Sequence, residues 1–205
     1  MPLAPERVEQ KLRERFPDVP IRRQEGEAVR EHTVFVPAER IVEVCTFLRD
    51  DPELDFALLA CITGVDYLPR EPRFEVVYHL LTVSKNGRFV LKVQLPDEHP
   101  SVPTVVGVWP TANWHEREAY DFYGIVFEGH PDLTRILLPE AWEGWPLRKD
   151  SPLGYQEVSF THNTPNRIVP DPDLKKLAPK KVKYQLGFIP SDGQWKLSGI
   201  TIDIE

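Results

Sequence analysis

Sulfur is scarce in this chain, which has two cysteines, Cys45 and Cys61, and one methionine in 205 residues. Two cysteines are too few for a disulfide framework. Because no Cys-x-x-Cys sequence occurs, the chain cannot by itself ligate a four-cysteine iron–sulfur cluster or zinc site. Cys45 falls on an apolar helix stripe and Cys61 in a hydrophobic strand, so we expect both to be buried core thiols.

Long apolar runs are also missing. No stretch of about 18 apolar residues occurs, so the sequence predicts no membrane-spanning helix. The first residues, MPLAPERVEQK, lack a charged and then apolar leader, so we expect no secretory signal. These two features predict a cytoplasmic protein, which could still dock on a membrane complex.

A basic excess is missing too, since the net charge is −7 and the pI is about 5.4. Phosphate binding needs a basic face, so nucleic acid is excluded as the main partner. One basic cluster, between Lys175 and Lys183, lies near the C-terminus and is expected to be a solvated segment. The 21 prolines, many charges and few oxidisable residues are typical of a thermophilic source.

Apolar periodicity predicts the fold. A spacing of three and four residues predicts helices at 5–16 and 37–50. Five segments predict strands: 19–23, 32–36, 56–62, 74–83 and 89–95. The segment 56–62 is apolar at nearly every position, so we expect a central strand. These patterns indicate an α+β fold, a two-layer domain of two to three helices on a mixed or antiparallel sheet of about five strands.

The remaining chain divides into three expected parts. A short helical segment after Pro103 and a helix at 112–123, capped by Thr111 and ended by Gly124, complete an α+β domain at 1–128. A loop region follows at 129–155. Residues 156–205 are expected to form an extended C-terminal arm, whose aromatic and isoleucine side chains need a surface. A partner's groove and the chain's own domain remain equal alternatives for that surface.

The helix at 112–123 carries the first candidate chemistry. Helical spacing places Trp114, Arg117, Glu118 and Asp121 within one quarter of its circumference. Arg117 and Asp121 stand four residues apart and are expected to form an ion pair. One hypothesis is an acid–base or metal site. Its members would be Glu116, Glu118, Asp121, His130 and Asp132. The other hypothesis is an ion-pair lattice that fixes the helix against a neighbour.

Three features favour the lattice. The carboxylates point to different sides of the helix, Arg117 lies among them, and no His-x-x-x-His or His-Glu-x-x-His spacing supplies imidazole ligands. No Gly-x-Ser-x-Gly sequence supplies a nucleophile for His130. The sequence Gly-His-Pro-Asp at 129–132 predicts a turn, with Asp132 able to cap a short helix through Leu138.

Two cations and one carboxylate stand together in Pro146-Leu147-Arg148-Lys149-Asp150. A phosphate clip is conceivable, but no glycine-rich loop accompanies this segment. A solvated charge run is the ordinary alternative. The flanking Trp142, Trp145 and Tyr155 favour a protein interface instead, since interfaces are enriched in aromatic residues and arginine.

Three blocks in this region resemble a known family. They are Trp-His-Glu-Arg-Glu-Ala-Tyr-Asp at 114–121, Gly-Ile-Val-Phe-Glu-Gly-His-Pro-Asp-Leu at 124–133 and Gly-Trp-Pro-Leu-Arg-Lys-Asp at 144–150. In this order and with these gaps they resemble the C-type subunit of the proton-pumping NADH–quinone oxidoreductase, respiratory complex I. The resemblance extends over about residues 5–155. Related chains of membrane-bound hydrogenases share the same blocks.

The resemblance implies a structural subunit of the peripheral arm without a cofactor of its own. FMN, iron–sulfur clusters and quinone would belong to partner subunits, and this chain would pack against the large quinone-site subunit and the ferredoxin-like subunit. Its place would be the cytoplasmic side of the inner membrane. The implied interface and ion-pair residues are Trp114, Glu116, Arg117, Glu118, Tyr120, Asp121, His130, Pro131, Asp132, Arg135, Pro146, Leu147, Arg148, Lys149 and Asp150.

Two alternatives remain. The equivalent chain of a membrane-bound hydrogenase is the alternative within the wider family. The alternative from another class is a stand-alone hydrolase that uses Glu116, Asp121 and His130.

Overall fold

The computed structural model describes residues 3–25, 31–139 and 142–151, together with the backbone of 182–191 and 194–204. The chain divides into two compact units, Met1–Tyr155 and Gln156–Glu205. The basic cluster, Tyr155 and the side chains of the predicted arm lie outside the described residues. The expected boundary at residue 128 and the path of the arm stay predictions.

Three α-helices form in the described part of the first unit, as the apolar spacing predicts. Helix α1 spans Pro5–Arg15 and buries Val8 and Leu12. A short 3₁₀ turn at Ala38–Arg40 leads into α2 at Ile41–Asp50, which buries Val44 and Leu48. Helix α3 spans Ala112–Tyr123. Among the described residues no helix is long and apolar enough to cross a membrane.

Five strands form the main sheet, in the order β1-β2-β5-β4-β3. Their bounds are Arg22–Arg23 (β1), Thr33–Phe35 (β2), Leu58–Asp66 (β3), Phe74–Thr82 (β4) and Gly87–Leu95 (β5). Strands β3, β4 and β5 form an antiparallel meander, and β2 pairs with β5 in parallel. The sheet is therefore mixed, and the predicted α+β class is confirmed.

One face of the sheet carries the helices and the core. Tyr78, Phe89 and Leu91 point to this face and are buried with Leu12 of α1 and Leu48 of α2. The other face carries polar groups. Among them is Glu75, whose carboxylate accepts hydrogen bonds from Lys92 and Gln94. The alternation of side chains along the strands thus separates an apolar face from a polar one.

Strand β3 is the last strand of the sheet, so the prediction of a central strand is wrong. Helix α3 packs on its core face, where Tyr123 lies directly over Gly64. Leu58 and Ala60 on the other face are exposed, so the strand is buried on one face only. Cys61 lies opposite His79 on the polar face and is half-buried, so only Cys45 is a buried core thiol.

Two short parallel strands, β6 at Ser101–Pro103 and β7 at Val126–Glu128, bracket α3. The predicted helical segment after Pro103 is a turn, closed by a hydrogen bond from the Trp109 N–H to the Val105 carbonyl. Thr111 makes no side-chain cap, since its own backbone is helical. Gly124 ends α3 in the left-handed conformation with φ of 71°, as predicted.

The second unit contains an antiparallel hairpin of β8, Val182–Ser191, and β9, Gln194–Ile204. The sequence analysis did not predict this pairing, although a signal for it is present. Apolar and polar residues alternate along both strands, as is typical of half-buried strands: Val182, Tyr184, Leu186 and Phe188 in β8, and Ile200, Ile202 and Ile204 in β9.

The packing of α1 can be tested with Leu12→Ala. Because Leu12 is fully buried between α1 and the sheet, we expect the free energy of unfolding to fall by about 2–5 kcal/mol. Urea denaturation of both proteins measures the change. Glu14→Ala, on the exposed side of the same helix, is the matched control, and an equal effect of the two substitutions would contradict this packing.

Candidate functional site

The candidate site is the region 113–151, which consists of α3, β7 and the loop that follows. Two carboxylates of α3, Glu116 and Asp121, are fully buried. They stand five residues apart and therefore point in different directions. The Glu116 carboxylate accepts hydrogen bonds from the Thr104 hydroxyl and the Val105 N–H. Burial raises the pKa of Glu116 to about 7, although these two hydrogen bonds act in the opposite direction.

Asp121 organises the loop. Its Oδ2 accepts the backbone N–H groups of Ile136, Leu137 and Leu138 at 3.1, 2.8 and 3.0 Å. Its Oδ1 accepts Arg135 Nη1 at 3.0 Å. Burial opposes ionisation, but the three N–H groups and the guanidinium hold the pKa of Asp121 below its ordinary value. One carboxylate thus fixes four consecutive residues of a segment without regular structure.

The expected ion pair between Arg117 and Asp121 does not form. Arg117 instead donates to the carbonyl and the hydroxyl of Thr134, at 3.0 and 2.9 Å, and lies 5.3 Å from the centre of the Trp114 ring. Helical spacing places two side chains near one another, but the loop offers each of them a better partner. Arg117 therefore contributes to the same anchorage of the loop as Asp121.

His130 holds the turn that precedes this segment. Its Nδ1 accepts the Asp132 N–H at 3.0 Å, so the ring proton lies on Nε2, which donates to the Asn113 carbonyl at 3.3 Å. The side chain of His130 is fully buried, whereas Pro131 and Asp132 are exposed. No helix forms between Asp132 and Leu138, because Asp121 binds the backbone N–H groups that such a helix would use.

The block 146–150 folds back onto α3. The Leu147 N–H donates to the Phe122 carbonyl at 3.2 Å, and Arg148 Nε donates to the Tyr123 carbonyl at 2.7 Å. Two orphan carbonyls at the end of α3 thereby gain donors. Burial and the nearby Arg73 lower the pKa of Arg148. The block is therefore neither a solvated charge run nor an open phosphate clip.

A buried arginine that the sequence analysis missed ties this block to the sheet. Arg73 binds Asp66 through two hydrogen bonds of 3.0 and 2.8 Å and also contacts Asp97 and Asp150, each at 2.9 Å. The Lys149 N–H donates to Asp66 at 2.8 Å. Burial opposes ionisation, yet these donors lower the pKa of Asp66 to about 2. The only sequence signal was a charged residue at the end of β3 and another before β4.

Aromatic rings close the loop over the end of α3. The Tyr120 and Trp145 rings meet edge to face with centroids 5.1 Å apart, and Arg135 lies 4.6 Å from the Trp145 ring centre. Trp145 also lies directly over Gly124. Tyr120 and Arg135, two of the implied interface residues, thus pack within this chain. Both are half-buried, as is Pro146.

Large apolar side chains are nevertheless left exposed in this region. Trp114, Leu137, Leu147 and Val126 are 62, 59, 49 and 42% exposed. Three of them lie on α3 or are bound to it. Trp114 is part of the helix, the Leu137 N–H binds Asp121, and the Leu147 N–H binds the Phe122 carbonyl. Exposed apolar groups on a fixed framework suit contact with another protein.

The candidate acid–base residues do not meet at one point. Glu118 and Asp132 are exposed, and Asp121 is enclosed by its own loop. Glu116 and His130 approach each other, with 3.9 Å between Oε2 and Nε2. In the part of the chain that the structure describes, no three His, Cys, Asp or Glu side chains are grouped to hold a metal ion.

Comparison with known proteins adds a family match. Residues 34–157 match the family model described as "Respiratory-chain NADH dehydrogenase, 30 Kd subunit". The C-type subunit of NADH-quinone oxidoreductase from Roseiflexus sp. (strain RS-1) is 60% identical over 131 residues, which are 64% of this chain and 75% of that protein. The equivalent subunit from Herpetosiphon aurantiacus is 46% identical over 156 residues, or 76% of this chain and 89% of that protein.

Two solved structures are similar. A trypsin-resistant fragment (1–134) of Nqo5 is 41% identical with a TM-score of 0.51 and covers 62% of this chain and 99% of its own length. A chain from an archaeal membrane-bound sulfane sulfur reductase, described as a respiratory membrane complex, is 25% identical with a TM-score of 0.61. It covers 80% of this chain and 98% of its own length.

Gly124→Ala tests the closure of the loop on α3. A Cβ there would lie 2.5 Å from Trp145 Cε2, in a backbone conformation with positive φ. We expect a loss of about 1–2 kcal/mol of unfolding free energy from the backbone and about 1–3 kcal/mol more from the overlap. Gly144→Ala has a φ of 82° and no atom within 4 Å, so its loss should come from the backbone alone. Equal losses in urea denaturation would exclude the contact.

The pairing of Asp66 with Arg73 predicts a pH dependence. The folded-state pKa of Asp66 lies below its ordinary value of 3.8, so its stabilisation is present above pH 4 and is lost as the pH falls towards 2. Asp66→Asn lacks this contribution at every pH. The difference in unfolding free energy between the two proteins should therefore shrink by about 2 kcal/mol between pH 6 and pH 2. Asp132→Asn, at an exposed position, is the control, and an equal pH dependence of the two variants would contradict the pairing.

Proposed function

Because the chain belongs to the family of the 30 kDa subunit of respiratory-chain NADH dehydrogenase, we propose that it acts as a scaffold in the peripheral arm of NADH–quinone oxidoreductase. It is one of the subunits of an oxidoreductase assembly, complex I. In this proposal the chain holds no redox cofactor. Its task is to bury and space neighbouring subunits, so that electrons pass from NADH to quinone through cofactors held by those neighbours.

The observation that supports this role is that the region 113–151 binds its buried charges internally and leaves large apolar side chains exposed. Its buried charges bind within the chain, as Asp121 does with the 136–138 backbone and Arg73 with Asp150. Its large apolar side chains remain outside, with Trp114 and Leu137 the most exposed among them. Interface hot spots are enriched in tryptophan and surrounded by groups that exclude water. A rigid loop with exposed apolar anchors therefore supports a docking role.

We propose the large quinone-site subunit and the ferredoxin-like subunit as the partners. FMN, iron–sulfur clusters and quinone would be held by neighbouring subunits. The complex would place this chain on the cytoplasmic side of the inner membrane, as a peripheral protein. The family resemblance of the three sequence blocks supports these assignments, and the exposed Trp114, Leu137 and Leu147 supply the contact surface.

The alternatives lose support. The similar proteins from Roseiflexus and Herpetosiphon bear the name of NADH-quinone oxidoreductase, so a hydrogenase role is not favoured. A stand-alone hydrolase would need Glu116, Asp121 and His130 around one substrate. Asp121 is enclosed by the 135–138 segment, which leaves it no access to such a substrate.

Purification through a tag on this chain, in mild detergent, tests the proposal. The expected result is a co-purified assembly that oxidises NADH and reduces quinone. An assembly that takes up hydrogen would reassign the chain to the hydrogenases. A chain without partners would contradict the scaffold role altogether.

Trp114→Ala tests the docking surface. Truncation of a buried interface tryptophan typically costs about 2 kcal/mol or more, which is roughly a 30-fold loss of affinity. We expect less assembled complex per cell, but unchanged quinone reduction per assembled complex. Val83→Ala is the matched control, since Val83 is 79% exposed and lies outside the region 113–151, in the β4–β5 turn. Normal assembly with low specific activity in Trp114→Ala would contradict a scaffold role for this residue.

A further inference from the structure

Glu116 is a buried carboxyl without a permanent counter-charge. In the described residues no Lys or Arg nitrogen lies within 4.0 Å of it, and its only basic neighbour is His130. Both side chains are fully buried. An unpaired carboxylate in such a place is costly, and the cost falls when the group takes up a proton or gains a charged partner.

The hydrogen bonds around these two residues leave room for one more proton. The Thr104 hydroxyl and the Val105 N–H are donated to Glu116, and the Asp132 N–H is donated to His130 Nδ1. The buried side-chain oxygen of Asn113 has no donor among the described residues. Asn113 lies one helical turn before Glu116, and its backbone carbonyl accepts His130 Nε2–H. Acceptors therefore outnumber donors in this cluster.

The position of His130 indicates which charge state the structure represents. Its Nε2–H is directed to the neutral Asn113 carbonyl at 3.3 Å, while Glu116 Oε2 lies 3.9 Å away, beyond hydrogen-bond distance. An ionised carboxylate would attract this N–H to about 2.7–2.9 Å. The observed choice of partner is the one expected when Glu116 is a neutral acid.

We propose that Glu116 and His130 form a protonation switch that sets the position of the 129–132 turn. With Glu116 protonated, His130 Nε2–H donates to the Asn113 carbonyl. With Glu116 ionised, the imidazole moves by about 1 Å, and Nε2–H donates to Glu116 Oε2. His130 Nδ1 holds the Asp132 N–H in both states, so the turn follows the ring.

Apart from His130, the groups that surround Glu116 do not compete for this proton. Cys45 of α2 and Tyr78 of β4 are its titratable neighbours in the core. Burial raises the pKa of both, which keeps them neutral around neutral pH. The β6 side contributes Thr104 and Val105, neither of which is ionised. Since burial raises the pKa of Glu116 to about 7, the switch operates near neutral pH.

The test is histidine-ring NMR of the full-length chain labelled with ¹⁵N in histidine. His130→Gln assigns the His130 signal among the six histidines. In the unmodified chain we expect its Nε2 shift to change through a midpoint near pH 7, the pKa of Glu116. In Glu116→Gln, which has no carboxyl group to ionise, the change with this midpoint should be lost. Glu118→Gln, an exposed carboxylate of the same helix, should retain the change.

A second variant covers the case in which Glu116→Gln does not fold. Thr104→Val removes one donor from the carboxylate, so the midpoint should move to higher pH by roughly one unit. A His130 shift that is constant in the unmodified chain overturns the switch. So does a change with the same midpoint in Glu116→Gln, or a midpoint unaffected by Thr104→Val.

Discussion

The loop after β7 depends on one buried carboxylate, Asp121. The segment 134–138 has no helix or strand to pair its backbone, and an unpaired buried N–H costs about as much as a lost hydrogen bond. Asp121 Oδ2 binds three successive N–H groups, while Oδ1 binds Arg135. This contact therefore positions the exposed side chains of the loop, above all Leu137.

The other charged groups of this region repeat the same arrangement. Arg117 binds the Thr134 carbonyl, Arg148 binds the Tyr123 carbonyl, and Asp66 binds the Lys149 N–H. In each case a charged side chain binds a backbone group that no hydrogen bond of a helix or strand satisfies. Buried charges of this kind seldom add much net stability, and what they provide here is a single loop geometry. Such a geometry is what a scaffold needs in order to present Trp114 and Leu147 to a neighbour.

The fold followed from the sequence where apolar periodicity was strong. The helices at 5–16 and 37–50 and the β4–β5 hairpin are local patterns, and each appears within a few residues of its expected bounds. Strand β3 showed the limit of this reasoning. Its continuous apolar run is typical of a central strand, but β3 is the last strand of the sheet and is buried on one face only. Cys61 was placed in the core for the same reason.

The sequence located the region of the candidate site but not its pairings. The three blocks between Trp114 and Asp150 identified the family, and the role proposed for the chain rests on that resemblance. Their contacts were different from the expected ones, because Arg117 and Asp121 bind the loop rather than each other. The site is completed by Asp66, Arg73 and Thr104, all of which lie outside the three blocks. Helical spacing reports only neighbours on one element, whereas these partners come from other elements.

The sequence by itself determined the α+β class, the periodic helices and strands, and the family, since each is written in local residue patterns. Only the tertiary structure decided which charged group binds which partner, and only the tertiary structure brought Glu116 beside His130. A hydrogen bond or an ion pair depends on distances of a few ångströms between distant parts of the chain. Those distances exist only once the apolar core has brought the elements together.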